Sequence, residues 1–369
     1  GQGPGQAGMN SSALLGHLEA LVACDTQNPP RLIDGDSDIF AYCSKTVGPG
    51  FETRIWDHGD GHVSWYAKRG SPTVLFNVHL DTVPNGEGWS TDPLGLRVSD
   101  GRAYGRGACD IKGAAAALLA LADEGAENLA LLFTSDEEGA GGCCVSRFLE
   151  TDESRHYHQV IVAEPTSCQA VLGHRGFLSV KTRFHGKPGH SSEPRALWDS
   201  ANHKMSRWAA AALRVAEARK VHPDDPGTCI NIGIMDGGTK SNVIAGSAFV
   251  HWSARLEPGE SSEGFLEEIK ACAEAPSDME WEVPFCGEPL PASGQDDSLA
   301  RAFCGRHGLE PGNPVDFWTE ASLFSDAGFP SIVLGPGHIE QAHASDEWVE
   351  VEQLETACKL YAKVIESDG

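Results

Sequence analysis

Two histidines and a set of carboxylates fall where apolar runs of this chain end, and together they form a donor set for divalent metal ions. His79-Leu80-Asp81 closes the apolar run Thr73 to Leu80, and side chains two apart in a strand share a face, so imidazole and carboxylate can point to one place. A carboxylate behind an imidazole is how a metal-ligating histidine is oriented; a polar strand cap is the plainer alternative. The segment Gly105-Arg106-Gly107-Ala108-Cys109-Asp110-Ile111-Lys112-Gly113 sets Asp110 at a glycine-rich turn entering a helix, where an aspartate also serves as a cap. The residue order of a phosphate-binding loop is absent there. Asp136-Glu137-Glu138 follows the apolar run Leu129 to Thr134. Three acids in a row suit a solvated loop, yet open α/β sheets bind ligands at the C-terminal ends of their strands. Consecutive side chains diverge, so one glutamate could bind metal while its neighbour faces a water. Ala163-Glu164-Pro165 repeats the placement with a single acid, and Ala342-His343-Ala344-Ser345-Asp346-Glu347 supplies a second histidine with trailing acids. Weak one by one, His79, Asp110, Glu138, Glu164 and His343 jointly suit two zinc-like ions.

Such a set needs a scaffold that brings strand ends together. The spacing of Leu14, Leu15, Leu18, Leu21 and Val22 predicts a helix over Ser11 to Cys24, ended by Asn28-Pro29-Pro30. Apolar runs then alternate with helical patterns: strand Thr73 to Leu80, helix Lys112 to Asp123, strand Leu129 to Thr134, helix Gly142 to Glu150, strand Gln159 to Ala163. That alternation predicts an α/β sheet with a substantial parallel part, buried on both faces. Near Gly173 the pattern changes. Phe177 to Phe184 alternates at period two, a helical stretch runs from Ala196 to Lys220, and strand patterns lie at Cys229 to Met235 and Ala248 to Leu256, as in an α+β insertion. The Pro- and Gly-bearing stretch Pro284 to Gly294 closes it. A helix at Ser298 to His307, a strand at Ser331 to Leu334 and a helix at Val351 to Ile365 resume the first pattern. The expected division is 9–174 and 289–369 for the α/β part and 175–288 for the insertion.

Composition narrows the class. Lys and Arg number 28 against 53 Asp and Glu, and the resulting charge of −25 repels phosphate backbones and anionic membranes, which sets nucleic acid and membrane aside as partners. The longest apolar run, Ala114 to Ala122, is too short for the about 20 residues a membrane span needs. Eleven cysteines, an odd number without a Cys-x-x-Cys pair, read as a reduced, cytoplasmic chain. Gly1 to Gly8, before Met9, reads as an appended leader rather than a secretion signal.

In these segments the chain resembles the co-catalytic metallo-aminoacylase and peptidase family that includes acetylornithine deacetylase, succinyl-diaminopimelate desuccinylase and the glutamate-releasing carboxypeptidase. The matching stretches are Asn77 to Pro84, Gly105 to Gly113, Ser135 to Glu138, Glu164-Pro165, Gly186 to Ser192 and His343 to Glu347, in order through nearly the whole chain. Val315 to Ser322 and Leu334-Gly335-Pro336-Gly337 are most similar to the acetylornithine and acetylcitrulline deacetylase branch. The resemblance implies a metallo-aminopeptidase-like catalytic domain with an inserted lid and dimerisation domain. It also implies that His79 and Glu164 hold one metal, Glu138 and His343 the other, and Asp110 bridges them before a cis peptide bond. Asp81 would orient His79, and Glu137 would be the general base. The metal would be Zn2+, one or two per subunit, with Co2+ able to substitute. His190, in Gly186-Lys187-Pro188-Gly189-His190-Ser191-Ser192, would reach from the lid, often of the partner subunit of a homodimer, to the oxyanion. Asn242 and Arg255 match lid positions that bind a substrate carboxylate. Gly335 and Gly337 would let backbone N–H groups approach the substrate, and Glu320 could accept from its far end. Asn77 and Val78, where many relatives have glycine, and Cys109, where threonine is common, depart from the family pattern without removing a ligand.

The expected reaction is metal-dependent hydrolysis of the Nα-acetyl amide of a small amino acid, acetylornithine or acetylcitrulline, within arginine biosynthesis. Desuccinylase, dipeptidase or carboxypeptidase activity is the alternative within the family. A binding protein that lost the chemistry is more remote, since Glu137 and all five ligands are retained. No Gly-x-Ser-x-Gly nucleophile elbow is present, and Cys143-Cys144 reads as helix packing.

Overall fold

The computed structural model describes residues 10–139, 143–219 and 227–368. The Gly1 to Gly8 leader, Gly142 and Lys220 lie outside the described residues. The chain forms two compact units, one of residues 1–172, 297–313 and 319–369, the other of residues 173–296 and 314–318. The second boundary falls later than the expected 288/289 because His174 and Leu290 exchange both backbone hydrogen bonds at 3.0 Å. Residues 314–318 return to the inserted unit because Val315 donates to Gly173 and accepts from Arg175.

In the first unit a six-stranded sheet runs in the order Glu52–Asp57, Val63–Arg69, Leu129–Thr134, Val74–His79, Gln159–Val162, Ser331–Val333. The last four are mutually parallel and the first two antiparallel. Every residue of Val74–His79, Leu129–Thr134 and Gln159–Val162 is buried, as expected of parallel strands covered on both faces. Helix Gly113–Asp123, with its run of alanines, is buried along almost its whole length. Small side chains let it sit between the Ser11–Ala23 and Val351–Glu366 helices without steric cost. A three-stranded sheet of Arg97–Ser99, Arg102–Tyr104 and Trp348–Glu350 ties the C-terminal part of the unit to the segment before Asp110. The strands Glu52–Asp57 and Val63–Arg69 were not expected: the first is exposed along nearly all its length, so it carries no apolar period to read.

The second unit is an antiparallel sheet in the order Met279–Gly287, Gly176–His185, Ser247–Leu256, Cys229–Gly237. Leu178, Val180, Phe184, Val250, Trp252, Ala254 and Leu256 share a core with Trp208 of helix Ala201–Ala218 and Phe265 of helix Ser262–Lys270. Two expectations are corrected here. The helical stretch from Ala196 breaks at Ser200, whose ψ of 124° is extended, into Ala196–Asp199 and Ala201–Ala218. Part of the stretch expected to close the insertion is an edge strand, Met279–Gly287, which contains Pro284. The ladder slips between Glu282 and Phe285, and an edge position at an irregularity is where a strand tolerates proline.

Candidate metal centre

Strands Leu129–Thr134, Val74–His79 and Gln159–Val162 are adjacent and parallel, so their C-terminal ends share one edge of the sheet. His79 closes the middle strand, Glu137 and Glu138 follow one neighbour, and Glu164 follows the other. Ligand sites of open α/β sheets form at this edge. Pairing of Trp348–Glu350 with Arg102–Tyr104 sets the 343–347 loop beside the 105–110 loop, and Gly105 donates to the Glu347 carbonyl at 3.0 Å. His343 and Asp110 arrive by that route. The peptide bond after Asp110 is cis.

The two oxygens of Asp110 divide between two imidazoles: Oδ1 lies 3.0 Å from His79 Nε2 and Oδ2 lies 3.0 Å from His343 Nε2. Glu164 Oε1 is 3.2 Å and Glu137 Oε2 3.7 Å from the same His79 nitrogen. Glu138 Oε1 is 3.0 Å from His343 Nε2. The donor atoms therefore gather as three groups, His79–Asp110–Glu164 and Asp110–Glu138–His343, which share Asp110, and His79–Glu137–Glu138.

Hydrogen bonding alone leaves this set unsatisfied. His79 Nδ1 lies 2.9 Å from the Asp81 carbonyl. A carbonyl only accepts, so Nδ1 carries a hydrogen and Nε2 is the nitrogen that faces the carboxylate oxygens. Glu164 Oε1, buried, has no hydrogen-bond partner among the described residues. Burial raises the Glu137, Glu138 and Glu164 carboxyl groups, Glu164 to about 7, and the neighbouring carboxylates add to it. Asp110 is held below the usual carboxylate range against its own burial, because both imidazoles face it. Burial by itself would lower His79, but Glu164, Glu137, Asp110 and Asp81 hold it well above the ordinary histidine value. Two imidazoles facing a cluster of buried carboxylates, one of whose oxygens has no partner, fit divalent cations in place of the shared protons.

Around the donors, several expectations change. The Asp81 carboxylate is 3.4 Å from His79 Nδ1, and that nitrogen is served by the Asp81 carbonyl instead. The carboxylate accepts from the backbone N–H groups of Glu137 at 3.2 Å and Glu138 at 2.8 Å, and from Asn28 Nδ2 at 2.9 Å. Asp81 thus holds the glutamate turn by its carboxylate and the histidine by its carbonyl. Gly335 and Gly337 are buried, and their N–H groups are engaged by Thr166 Oγ1 and Gln353 Oε1. Their need for glycine is steric: a Cβ on Gly335 would sit 2.5 Å from the Glu164 carbonyl, and Gly337 has φ +96° with Cys109 Sγ in the way. Glu320 is 1 % exposed and accepts from Thr134 Oγ1 at 2.8 Å. Burial, with Asp136 adding, pushes its carboxyl up to about 8, so at neutral pH it is no counter-ion for a substrate ammonium.

In the second unit, His190 bridges to Val243, and Ser191 donates to the Asn242 carbonyl, so His190 and Asn242 stand together beside the start of strand Ser247–Leu256. Both are exposed. Arg255 lies near the other end of that strand, stacked over Phe177 at 4.1 Å. Eight residues separate Ser247 from Arg255, about 27 Å of strand. One chain does not bring Asn242 and Arg255 to the same carboxylate.

A fourth donor group, His62, Asp136 and Cys143, carries other chemistry. Arg31 Nη2 sits 3.0 Å from His62 Nε2, and guanidinium only donates, so the hydrogen is on Nδ1 and goes to Asp136 Oδ2 at 2.7 Å. A metal at Nδ1 would force hydrogen against hydrogen at Arg31. Arg106, Asn28 and the positioning contacts of Glu347 complete the site; Arg106 is signalled by a lone charge between two glycines, and nothing local signals Asn28 or Glu347.

Residues 75–367 match Peptidase family M20/M25/M40, and the chain belongs to that family. It is 43% identical over 361 residues to the N-acetyl-L-citrulline deacetylase of Xanthomonas campestris pv. campestris, covering 96% of this chain and 98% of that one. It is 30% identical over 347 residues to the acetylornithine deacetylase of Proteus mirabilis, covering 89% of each. The aminopeptidase PepT of Bacillus cereus superposes with a TM-score of 0.73 at 20% identity over 98% of this chain and 99% of that one. An M20 family metallo-carboxypeptidase of Sulfolobus solfataricus gives 0.71 at 18% identity, covering 96% and 98%. At those identities the likeness speaks for the α/β fold with its insertion. No helix among the described residues is long and apolar enough to cross a membrane.

Proposed function

We propose that the protein is a metal-dependent amidohydrolase that removes the Nα-acetyl group from a small amino acid, with acetylcitrulline preferred over acetylornithine. The observation that carries the reaction class is Asp110, whose two oxygens face two separate imidazoles with Glu138 and Glu164 flanking them. The substrate rests on 43% identity along almost the full length of a relative named as an acetylcitrulline deacetylase. A neutral Glu320 adds to it by withdrawing the anion that an ornithine ammonium would seek.

His79, Glu164, Asp110, Glu138 and His343 would hold Zn2+, with Co2+ able to substitute. When bound, the ions lower the pKa of water and polarise the acyl carbonyl. The two groups that share Asp110 leave Glu137 for proton transfer, and its carboxylate also groups with His79 and Glu138. Its backbone N–H is fixed on Asp81 and its carboxylate stands beside the His79 nitrogen without ligating in the Asp110 groups. It takes a proton from the attacking water as the C–O bond forms. It returns that proton to the amide nitrogen as the C–N bond breaks, releasing acetate and the free amine.

The inserted unit supplies the lid, and the protein works as a homodimer in the cytoplasm, in arginine biosynthesis. Two features support the dimer. The edge strand Cys229–Gly237 is exposed along most of its length, Ile234 and Met235 included, and an open edge of that kind invites pairing. His190 and Asn242 stand about 27 Å of strand from Arg255, so if all three serve one substrate, a second copy provides some of them. The test is kcat/KM for acetylcitrulline, acetylornithine and succinyl-diaminopimelate, with chelated and Zn2+- or Co2+-reloaded protein in parallel. Acetylcitrulline is expected to lead, and chelation to abolish hydrolysis. A lead for the succinyl compound overturns the deacetylase reading, and full activity in metal-free protein overturns the metal centre.

A further inference from the structure

Glu347 is 1 % exposed, lies four residues after His343, and has no part in the donor groups above. Its carboxylate is saturated by the segment that carries Asp110. Oε1 accepts from Gly107 N at 3.1 Å and from Arg106 Nη1 at 2.8 Å, and Oε2 accepts from Cys109 N at 2.9 Å and Asp110 N at 3.0 Å. Arg106, 2 % exposed, gives its Nη1 and Nη2 groups also to the carbonyls of Ala344 at 3.1 Å, Pro84 at 3.3 Å and Asn85 at 2.9 Å, while Nε has no hydrogen-bond partner among the described residues. Those carbonyls belong to the loops that follow His343 and the His79–Asp81 pair. One buried ion pair thus ties together the three segments that deliver Asp110, His343 and His79.

We infer that Glu347, with Arg106, is a positioning residue for the metal centre: it fixes the backbone of Asp110 and locks the His79, Asp110 and His343 loops in one register. This rests on the reading of Asp110 as a shared metal ligand. Three arguments support it. A buried ion pair is a poor device for stability alone, because an apolar pair of similar volume often serves as well; the hydrogen bonds here go to backbone groups of loops, beyond those that strand pairing and the Gly105–Glu347 backbone bond already fix. The N–H that Glu347 takes at Asp110 is the ligand's own, so the position of the carboxylate sets the position of the Asp110 Cα. The same device recurs across the site, where Asp81 takes the N–H groups of Glu137 and Glu138. Outer partners that orient metal ligands are worth about 10–100-fold in metal affinity.

Glu347→Gln keeps the size but presents an amide N–H₂ to a pair of backbone N–H groups, donor against donor, on one side of the carboxyl. Metal-free protein is titrated with Zn2+ against a competing chelator, and with Co2+ by visible absorption. The temperature is well below every variant's unfolding midpoint. Glu347→Gln is expected to weaken Zn2+ about 10–100-fold and to alter the Co2+ spectrum, which reports ligand geometry. Arg106→Lys, which keeps the charge but loses the fork to three carbonyls, is expected to shift both readouts in the same direction and serves if Glu347→Gln does not fold. Asp368→Asn is the control: Asp368 accepts from Thr73 N and Val74 N at the opposite end of the His79 strand. It should lower the unfolding midpoint without changing Zn2+ affinity. Wild-type affinity and spectrum in folded Glu347→Gln overturn the inference, as does an equal loss in Asp368→Asn. Asp110→Asn separates the two levels: if it binds Zn2+ like the wild type, the metal-centre reading itself fails. If it loses Zn2+ while Glu347→Gln does not, only the positioning role fails.

Discussion

Glu320 offers a test of the site's electrostatics that needs no substrate. It is fully enclosed, Oε1 accepts from Thr134, and Oε2 has no hydrogen-bond partner among the described residues. Burial, reinforced by Asp136, pushes its carboxyl from the ordinary 4.5 up to about 8. Between those values the unfolded chain has released the proton and the folded chain still holds it. The unfolded state binds fewer protons, so stability falls as pH rises, by about 1.4 kcal/mol per pH unit. The cost is absent below 4.5, accumulates to about 5 kcal/mol by pH 8, and is constant above that. Glu320→Gln removes the titrating group and keeps an acceptor for Thr134, so the variant escapes the cost. Urea unfolding of wild type and variant at matched metal content, from pH 5 to 9, isolates this group and its coupling to Asp136, because titrations not coupled to Glu320 cancel in the difference. The variant is expected to gain on the wild type by about 3 kcal/mol between pH 6 and 8 and to hold that margin above pH 8. A difference that stays flat from pH 5 to 9 would show that Glu320 ionises like an exposed glutamate, and the neutral-carboxyl argument about substrate preference would go with it.

Glu137→Gln should bind Zn2+ with unchanged stoichiometry and lose roughly 10²-fold or more in kcat; loss of metal with the rate per bound ion preserved would exchange the roles of Glu137 and Glu138. For the lid, inactive Glu137→Gln and inactive His190→Ala chains, mixed under conditions where subunit exchange is confirmed, should recover activity. Recovery would come from hybrid sites that combine an intact Glu137 with an intact His190, and its absence places His190 in its own chain's site or outside it.

Most of the donor set was legible before any fold because its signal is local. An apolar run that ends in histidine or glutamate says both that a strand is buried and that something waits at its end, and parallel neighbours then bring His79, Glu138 and Glu164 to one edge of a sheet. The helix after Asp110 and the strand before Glu137 were readable for the same reason: Gly113–Asp123 and Leu129–Thr134 are buried on all sides, so composition alone betrays them. What the chain could not announce were partnerships made across it. Glu347 reads as one more acid in a solvated tail until the pairing of Trp348–Glu350 with Arg102–Tyr104 puts it under the Asp110 turn. Asp81 reads as a partner for a side chain two residues away, but its carboxylate serves backbone more than fifty residues on. Gly335 and Gly337 sit in a segment that invites backbone contact with a substrate, but their N–H groups go to Thr166 and Gln353; Glu320 sits in one that invites a charge, but burial raises its carboxyl. Asn242 and Arg255 are close in sequence and far apart in space because an extended strand lies between them. Residue type and strand termini are written locally and survive any fold. Hydrogen-bond partners, burial and distance exist only once the chain has closed on itself, and those decide which acids bind, which position and which are silent.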